Sequence, residues 1–232
     1  MEFQTNVMMG GALLEFAKGV EGWEKRDCYS QLEQYLYGGR SDRVCVIYGL
    51  RRTGKTTMLR QAILNMTEEQ RQRAAYLKAK RTDTMAVVNR DLQALRDAGV
   101  CYVFLDEATL MKDFVDSAAL FSDVFASTGM KLVLSGTDSL GFWLADQEEL
   151  YDRAVMLHTT FIPYGEFCRL LHRDSVDEYL RYGGTLRAGE LDFATGGVEA
   201  EEASFRDDES TRKYIDTAIC RNIQHSLSCY ED

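Results

Sequence analysis

Histidine is scarce in this chain, with three in 232 residues, and no two of the six cysteines stand at C-x-x-C spacing. Together these absences exclude the usual zinc frameworks. His158, His172 and His225 lack partners at metal spacing and are read as structural residues. No apolar stretch approaches the ~20 residues a membrane-spanning helix needs. The start, MEFQTNVMMGGALLEFAKG, has no basic leader and carries Glu2 and Glu15, unlike a secretory signal. Cys45 and Cys101 sit in apolar runs, where a thiol acts as a small hydrophobe. A reduced, soluble, cytoplasmic protein with no membrane contact is expected. No long basic run occurs, and the net charge is −10. The chain as a whole is therefore repelled by a phosphate backbone.

Apolar residues make up 45% of the chain, enough for a substantial core. Residues 10–38 read as helical, with Tyr29, Leu32, Tyr35 and Leu36 at helical spacing before a Gly-Gly stop. RVCVIYG (43–49) reads as a buried strand. The segment from Lys55 reads as a helix that buries Met58, Leu59, Ala62 and Ile63. The alternation continues with strands at 74–79, 100–107, 131–136 and 154–161, and helices at 84–98 and 114–128. Strands separated by helices predict βαβ units, that is, an α/β three-layer sandwich with a five-stranded parallel sheet. The pattern changes after Pro163, the only proline. Short helices follow, then an acidic stretch over 187–210 read as an exposed linker. An amphipathic helix closes the chain, with Tyr214, Ile215, Ala218, Ile219, Ile223 and Leu227 on its apolar side. The expected division is an N-terminal helical segment (1–40), a core (41–172) and a helical extension (173–232).

Gly49-Leu50-Arg51-Arg52-Thr53-Gly54-Lys55-Thr56 matches G-x-x-x-x-G-K-[ST] without a gap, between a strand and a helix. The glycines let backbone N–H groups close around phosphate oxygens, and the following helix turns its positive end toward them. Gly49, Arg51, Arg52, Thr53, Gly54, Lys55, Thr56 and Thr57 are the expected cradle for ATP or a related nucleoside triphosphate. Lys55 would reach the β- and γ-phosphates, and the Thr56 hydroxyl would ligate Mg²⁺. A second signal is Cys101-Tyr102-Val103-Phe104-Leu105-Asp106-Glu107, an apolar strand that runs into two acids. Asp106 is the expected Mg²⁺ partner, through the ion's water, and Glu107 the group that orients or deprotonates an attacking water. The third is Lys131-Leu132-Val133-Leu134-Ser135-Gly136-Thr137. Ser135, or as second choice Thr137, would contact the γ-phosphate or the lytic water, while a plain turn or helix cap reads equally well. Arg153 is a candidate sensor or a finger supplied to another site. For any single arginine here, a surface ion pair is the plainer reading.

YGLRRTGKTTML, VFLDEATLMKDF, KLVLSGTDSL and YDRAVMLHTTFIPYGEF together resemble a family of prokaryotic AAA-like P-loop ATPases, over roughly residues 30–185. In that family an Arg-containing segment leads into a proline followed by Glu-Phe, here Pro163-Tyr164-Gly165-Glu166-Phe167. Ser135-Gly136-Thr137 departs from the family's T-G-S, which leaves the sensor assignment open. The resemblance implies ATP and Mg²⁺ as ligands, and hydrolysis that drives a conformational change in a protein partner, another copy or an attached domain. Family members often continue into a nuclease-related or DNA-binding domain. Any DNA contact would therefore pass through such a domain, and residues 173–232 would be its truncated start. A nucleotide switch with negligible turnover and a P-loop kinase are the alternatives. The strand order separates the kinase. In the ATPase the strand ending in Ser135 lies between the P-loop strand and the Asp106 strand, whereas in the kinase-like branch those two are direct neighbours.

Overall fold

The computed structural model describes residues 3–39, 42–50, 52–111, 113–137, 142, 150, 152–159, 161–182, 185–188, 191–192 and 197–198. Its sheet has six strands in the order β1-β3-β4-β5-β2-β6. These are β1 (Val7–Met9), β2 (Val44–Tyr48), β3 (Ala74–Lys78), β4 (Tyr102–Asp106), β5 (Lys131–Gly136) and β6 (Ala154–His158). Strands β2 to β6 run parallel to one another, and β1 pairs antiparallel with β3. The β5 strand separates β2 from β4, the order expected of the ATPase branch.

Strand alternation divides the core into two layers. Val44, Val46, Ala75, Leu77, Val103, Leu105, Leu132 and Leu134 face α5 (Met85–Asp97) and the aromatic residues Phe114, Phe121 and Phe125. The residues between them, Cys45, Ile47, Ala74, Tyr76, Phe104 and Val133, face α1 (Gly10–Lys18), α2 (Tyr29–Tyr37) and α3 (Lys55–Asn65). Successive strand residues point to opposite sides, so a doubly covered sheet must be apolar at every position. That is why these strands read as unbroken hydrophobic runs. A short helix, α4 (Glu68–Gln72), leads into β3 and opens on a capping box made by Thr67 and Gln70. Thr84 caps α5 by accepting a hydrogen bond from the Val87 N–H.

Three expectations are corrected. The sheet has six strands rather than five, and it is not wholly parallel. The extra strand is three residues long, too short to show a period, and its position comes from a distant residue. Buried Asp91 on α5 accepts hydrogen bonds from Gln4 N at 3.0 Å, Thr5 N at 2.7 Å and Thr5 Oγ1 at 2.6 Å, and so holds the chain just ahead of β1. The helix expected over 114–128 is broken into α6 (Phe114–Ser117), a wide π-type turn at Phe121–Phe125 and a 3₁₀ turn at Ala126–Thr128. Its apolar residues are buried as expected. Three hydroxyls, however, bond to backbone carbonyls, Ser122 to Asp42, Ser127 to Asp123 and Thr128 to Phe125, and compete with the helical ladder. Beyond Pro163 come α7 (Tyr164–Leu171) and α8 (Val176–Tyr182). Within the stretch read as linker lie three two-residue strands, β7 (Arg187–Ala188), β8 (Leu191–Asp192) and β9 (Gly197–Val198), which form a small antiparallel sheet. The expected terminal amphipathic helix lies outside the described residues.

Asp91→Ala should strand the amides of Gln4 and Thr5 and lower the unfolding free energy by about 2–4 kcal/mol in urea titration. Hydrogen exchange at Val7–Met9 should rise far more than at Val44–Tyr48. Unchanged protection of β1 would show that the strand docks without this carboxylate.

Candidate functional site

The loop between β2 and α3 opens at the C-terminal edge of the sheet. Gly49 has φ +142° and Gly54 φ +93°, and Arg52 adopts φ +64°. At Gly49 the need for glycine is also steric, because a Cβ there would stand 2.5 Å from the Thr159 carbonyl oxygen. Thr159, just past β6, bonds back to the loop: its Oγ1 lies 2.8 Å from Thr53 Oγ1 and donates to the Tyr48 carbonyl at 3.0 Å. Thr53 Oγ1 also lies 2.8 Å from the Leu50 carbonyl oxygen, so its single proton is shared between that carbonyl and Thr159 Oγ1. Lys55 is buried, and its ammonium lies 2.7 Å from each of the Gly49 and Leu50 carbonyl oxygens. It therefore sits across the mouth of the loop, where phosphate oxygens would compete for it.

Asp106 ends β4 and is 1% exposed. Its Oδ2 accepts from Thr56 Oγ1 at 2.8 Å and from the Tyr76 hydroxyl at 2.9 Å. Its Oδ1 accepts from the Ser135 hydroxyl and from Glu107 N–H at 3.1 Å. Burial, reinforced by the Asp106 carboxylate, pushes the Tyr76 hydroxyl far above the usual phenol range, so it remains a donor. A buried carboxylate whose oxygens each accept two hydrogen bonds keeps one orientation. Thr56 and Asp106 are the oxygen pair that could hold Mg²⁺. That ion takes one or two protein oxygens and completes its octahedron with water and phosphate. The donor set, one hydroxyl and one carboxylate oxygen within 2.8 Å of each other, fits such an ion.

Glu107 follows in the left-handed region, at φ 57° and ψ 38°. For a residue with a Cβ this conformation costs about 1–3 kcal/mol. Its carboxylate lies 3.3 and 3.5 Å from Thr137 Oγ1. Arg52, Gly54, Lys55, Thr56, Thr57, Lys78, Glu107, Thr137 and Leu186 line one cleft of about 360 Å³. A smaller cavity of about 100 Å³ shares Thr57 and Leu186 with it and extends to Trp23, Gln61 and Leu170. The Gln61 amide donates to the carbonyls of Trp23 and Glu24, both at 3.1 Å.

The fold thus brings Gly49, Arg52, Thr53, Gly54, Lys55, Thr56, Thr57, Asp106, Glu107 and Ser135 to one edge of the sheet. Thr137, the second choice at the Ser135 strand, lies in the cleft beside Glu107, while Ser135 itself bonds to Asp106. Arg51 lies outside the described residues. Arg153 is not brought to the cleft. It precedes β6 at the opposite edge, its carbonyl accepts from Val44 N–H at 2.9 Å, and its guanidinium pairs with Asp123 at 3.2 Å. Contributors that carried no motif include Tyr76, Lys78 and Leu186. Only Tyr76 had a signal, since it lies in a strand with its hydroxyl on the buried face, where such a group needs a partner.

Gly49→Ala meets both a clash with backbone and an unfavourable φ. It should lower stability by about 2–5 kcal/mol in urea titration. A loss below about 0.5 kcal/mol would mean the loop relaxes freely around Thr159.

A family described as the AAA domain matches residues 41–168. No curated protein matches the chain. Among solved structures, the S. cerevisiae Hsp104:casein complex in its extended conformation aligns over 76% of this chain and 34% of that one, with a TM-score of 0.51 at 12% identity. The S. cerevisiae Hsp104–ADP complex aligns over 72% of this chain and 26% of that one, with a TM-score of 0.50 at 13% identity. The chain spans about a third or less of the length of these structures, and the likeness is one of fold. No helix among the described residues is long and apolar enough to cross a membrane.

Proposed function

The chain belongs to the AAA domain family, and from that premise we propose that it binds ATP with Mg²⁺ and hydrolyses it by in-line attack of water. One observation carries this reading: the P-loop threonine Thr56 is bonded to the strand-end Asp106, and the next residue, Glu107, lines the same cleft. In this reading the Lys55 ammonium leaves the Gly49 and Leu50 carbonyls for the β- and γ-phosphate oxygens. Backbone N–H groups of the loop and the N-terminal end of α3 take up further phosphate charge. Thr56 and Asp106 would hold Mg²⁺, which when bound would neutralise phosphate charge. Glu107 accepts a proton from water as its oxygen attacks the γ-phosphorus and the bond to the β-phosphate oxygen breaks. Thr137 steadies the Glu107 carboxylate, and Ser135 and Tyr76 steady Asp106. The small cavity beside Thr57 and Gln61 would receive the base, since it adjoins the cleft through Thr57 and Leu186.

Residues 41–172 form the ATPase core in this reading. Its output passes through the segment from residue 173 to a protein partner, another copy or an attached domain. Arg153, far from its own cleft, would act only on a neighbouring copy. The strand order weighs against the kinase alternative, and the carboxylate beside Thr137 weighs against a switch without turnover.

Lys55→Ala should reduce ATP affinity by roughly tenfold or more, the scale of losing one charge-assisted contact in a site shielded from water. Calorimetry giving equal affinity for both proteins would sink the phosphate-cradle reading. Glu107→Gln keeps the size of the side chain but cannot take a proton. Phosphate release should fall by ~10²–10⁴-fold while nucleotide affinity is retained. Unchanged turnover, measured also at high protein concentration, would remove Glu107 from the mechanism and favour the switch.

A further inference from the structure

Glu166, the glutamate of the Pro163–Phe167 segment, takes no part in the chemistry above, yet it is one of the few buried charges in the protein. It stands in the first turn of α7, and its partner is Arg26, far away in sequence between α1 and α2. Arg26 Nε donates to Glu166 Oε1 at 2.6 Å and Nη2 donates to Oε2 at 3.2 Å, a bidentate pair. Glu166 Oε1 also accepts the Asp27 N–H at 2.8 Å. Both residues of the pair are 6% exposed. A buried ion pair of this kind is a weak source of net stability, because desolvation offsets most of the attraction. Its third contact suggests a different role. Arg26 Nη1, the one donor arm not on the carboxylate, bonds to the carbonyl oxygen of Thr53 within the phosphate loop.

The direction of that contact has consequences. Across a trans peptide the C=O and N–H point in opposite directions, and no cis bond occurs among the described residues. Drawing the Thr53 carbonyl toward Arg26 therefore turns the Gly54 N–H away from Arg26. The preceding carbonyl, that of Arg52, is engaged by another residue beyond the loop, Leu186, whose N–H donates to it at 2.9 Å. Successive N–H groups turned to one side form an anion-binding concavity. Gly54, at φ +93°, packs against this tether, since a Cβ there would meet Leu186 Cδ1 at 3.2 Å and Arg26 Cγ at 3.6 Å.

We propose that Arg26, held by Glu166, is a positioning residue for the phosphate loop. It fixes the Thr53–Gly54 peptide with its N–H toward the bound phosphates, and it couples the docking of α7 to occupancy of the loop. The planar guanidinium fork is what allows one side chain to satisfy two carboxylate oxygens and a carbonyl at once, a geometry that a lysine ammonium does not offer. The coupling is reciprocal: if α7 docking favours phosphate binding, bound phosphate favours α7 docking to the same extent.

The inference rests on the proposal that the loop binds nucleotide, and the test separates the two. ADP affinity is measured by calorimetry for the wild type, for Arg26→Met/Glu166→Met and for Arg169→Ala. The double variant removes both charges together, which buried pairs tolerate far better than loss of one partner. Its ADP dissociation constant should rise roughly tenfold or more, the scale of one charge-assisted hydrogen bond. Arg169 also ties α7 to the same segment, through Glu24 at 2.8 Å and Asp27 at 2.6 Å, but it does not touch the loop. Arg169→Ala should stay within about threefold of wild type. An equal loss in both variants would mean that general docking of α7, and not the Thr53 tether, sets the affinity. Unchanged affinity in a folded double variant would also overturn the inference while leaving the nucleotide reading intact. No ADP binding by the wild type would overturn both. Deuterium exchange on the wild-type chain needs no variant. Inorganic pyrophosphate, which lacks the base and so does not fill the cavity lined by Leu170 and Leu171, should slow exchange across Tyr164–Leu171 as well as across the loop, and protection confined to the loop would overturn the coupling.

Discussion

The carboxylate of Asp106 is the point on which the rest of this architecture converges. A carboxylate at 1% exposure is tolerated only when its lone pairs are taken up. Here the donors come from α3 (Thr56), β3 (Tyr76), β5 (Ser135) and the backbone just past β4 (Glu107). To satisfy one acid, four elements must meet at the same edge of the sheet in the same register. The parity of the strands makes this work. Tyr76 and Val133 face the α3 layer, as does Phe104. Asp106 follows Phe104 by two residues and Ser135 follows Val133 by two, so they face the same way. A slip of one residue in any of these strands would send its polar group into the opposite layer.

The loop beside this carboxylate is held from outside rather than by its own contacts alone. Thr159 at the end of β6 grips Thr53, Leu186 grips the Arg52 carbonyl, and the Arg26–Glu166 pair grips the Thr53 carbonyl. Backbone in the left-handed region gathers here too, at Gly54, Arg52 and Glu107. Conformations of this kind persist only where the surroundings over-determine them. The three tethers, one of them the buried ion pair, supply that constraint at the loop. They also make the N-terminal segment and α7 part of the site's mechanics, although neither would touch the reacting atoms.

Much of the fold was legible in the sequence because doubly covered strands must be apolar throughout. The runs at 43–49, 100–107 and 131–136 therefore stand out, and the strand order was read from the order of these runs together with the Asp106-Glu107 pair. The P-loop was legible for a similar reason: glycine, lysine and threonine at fixed spacing are demanded by phosphate geometry and are local in sequence. The edge strand β1 was not legible, since three residues show no period and Asp91, which fastens the chain beside it, lies more than 80 residues away. The broken helix over 114–128 kept its apolar spacing, but its turns were decided by hydroxyls whose carbonyl partners no period reveals.

What the sequence determined by itself was therefore the chemistry carried by contiguous residues: the phosphate loop, the acidic pair Asp106-Glu107 and the two-sided sheet that presents them. What only the tertiary structure decided was which distant side chains hold those groups still. Arg26 and Glu166 are 140 residues apart, Tyr76 and Asp106 are 30 apart, and Thr53 and Thr159 are 106 apart. Arg153 is the opposite case: in a parallel sheet a residue just ahead of a strand lies at the edge away from the loop that follows the P-loop strand, so its separation from the cleft was implicit in the sequence reading itself. The physical reason for the division is that a hydrogen bond or ion pair depends on distance in space. Local spacing records only the contacts a single helix, strand or loop makes with itself.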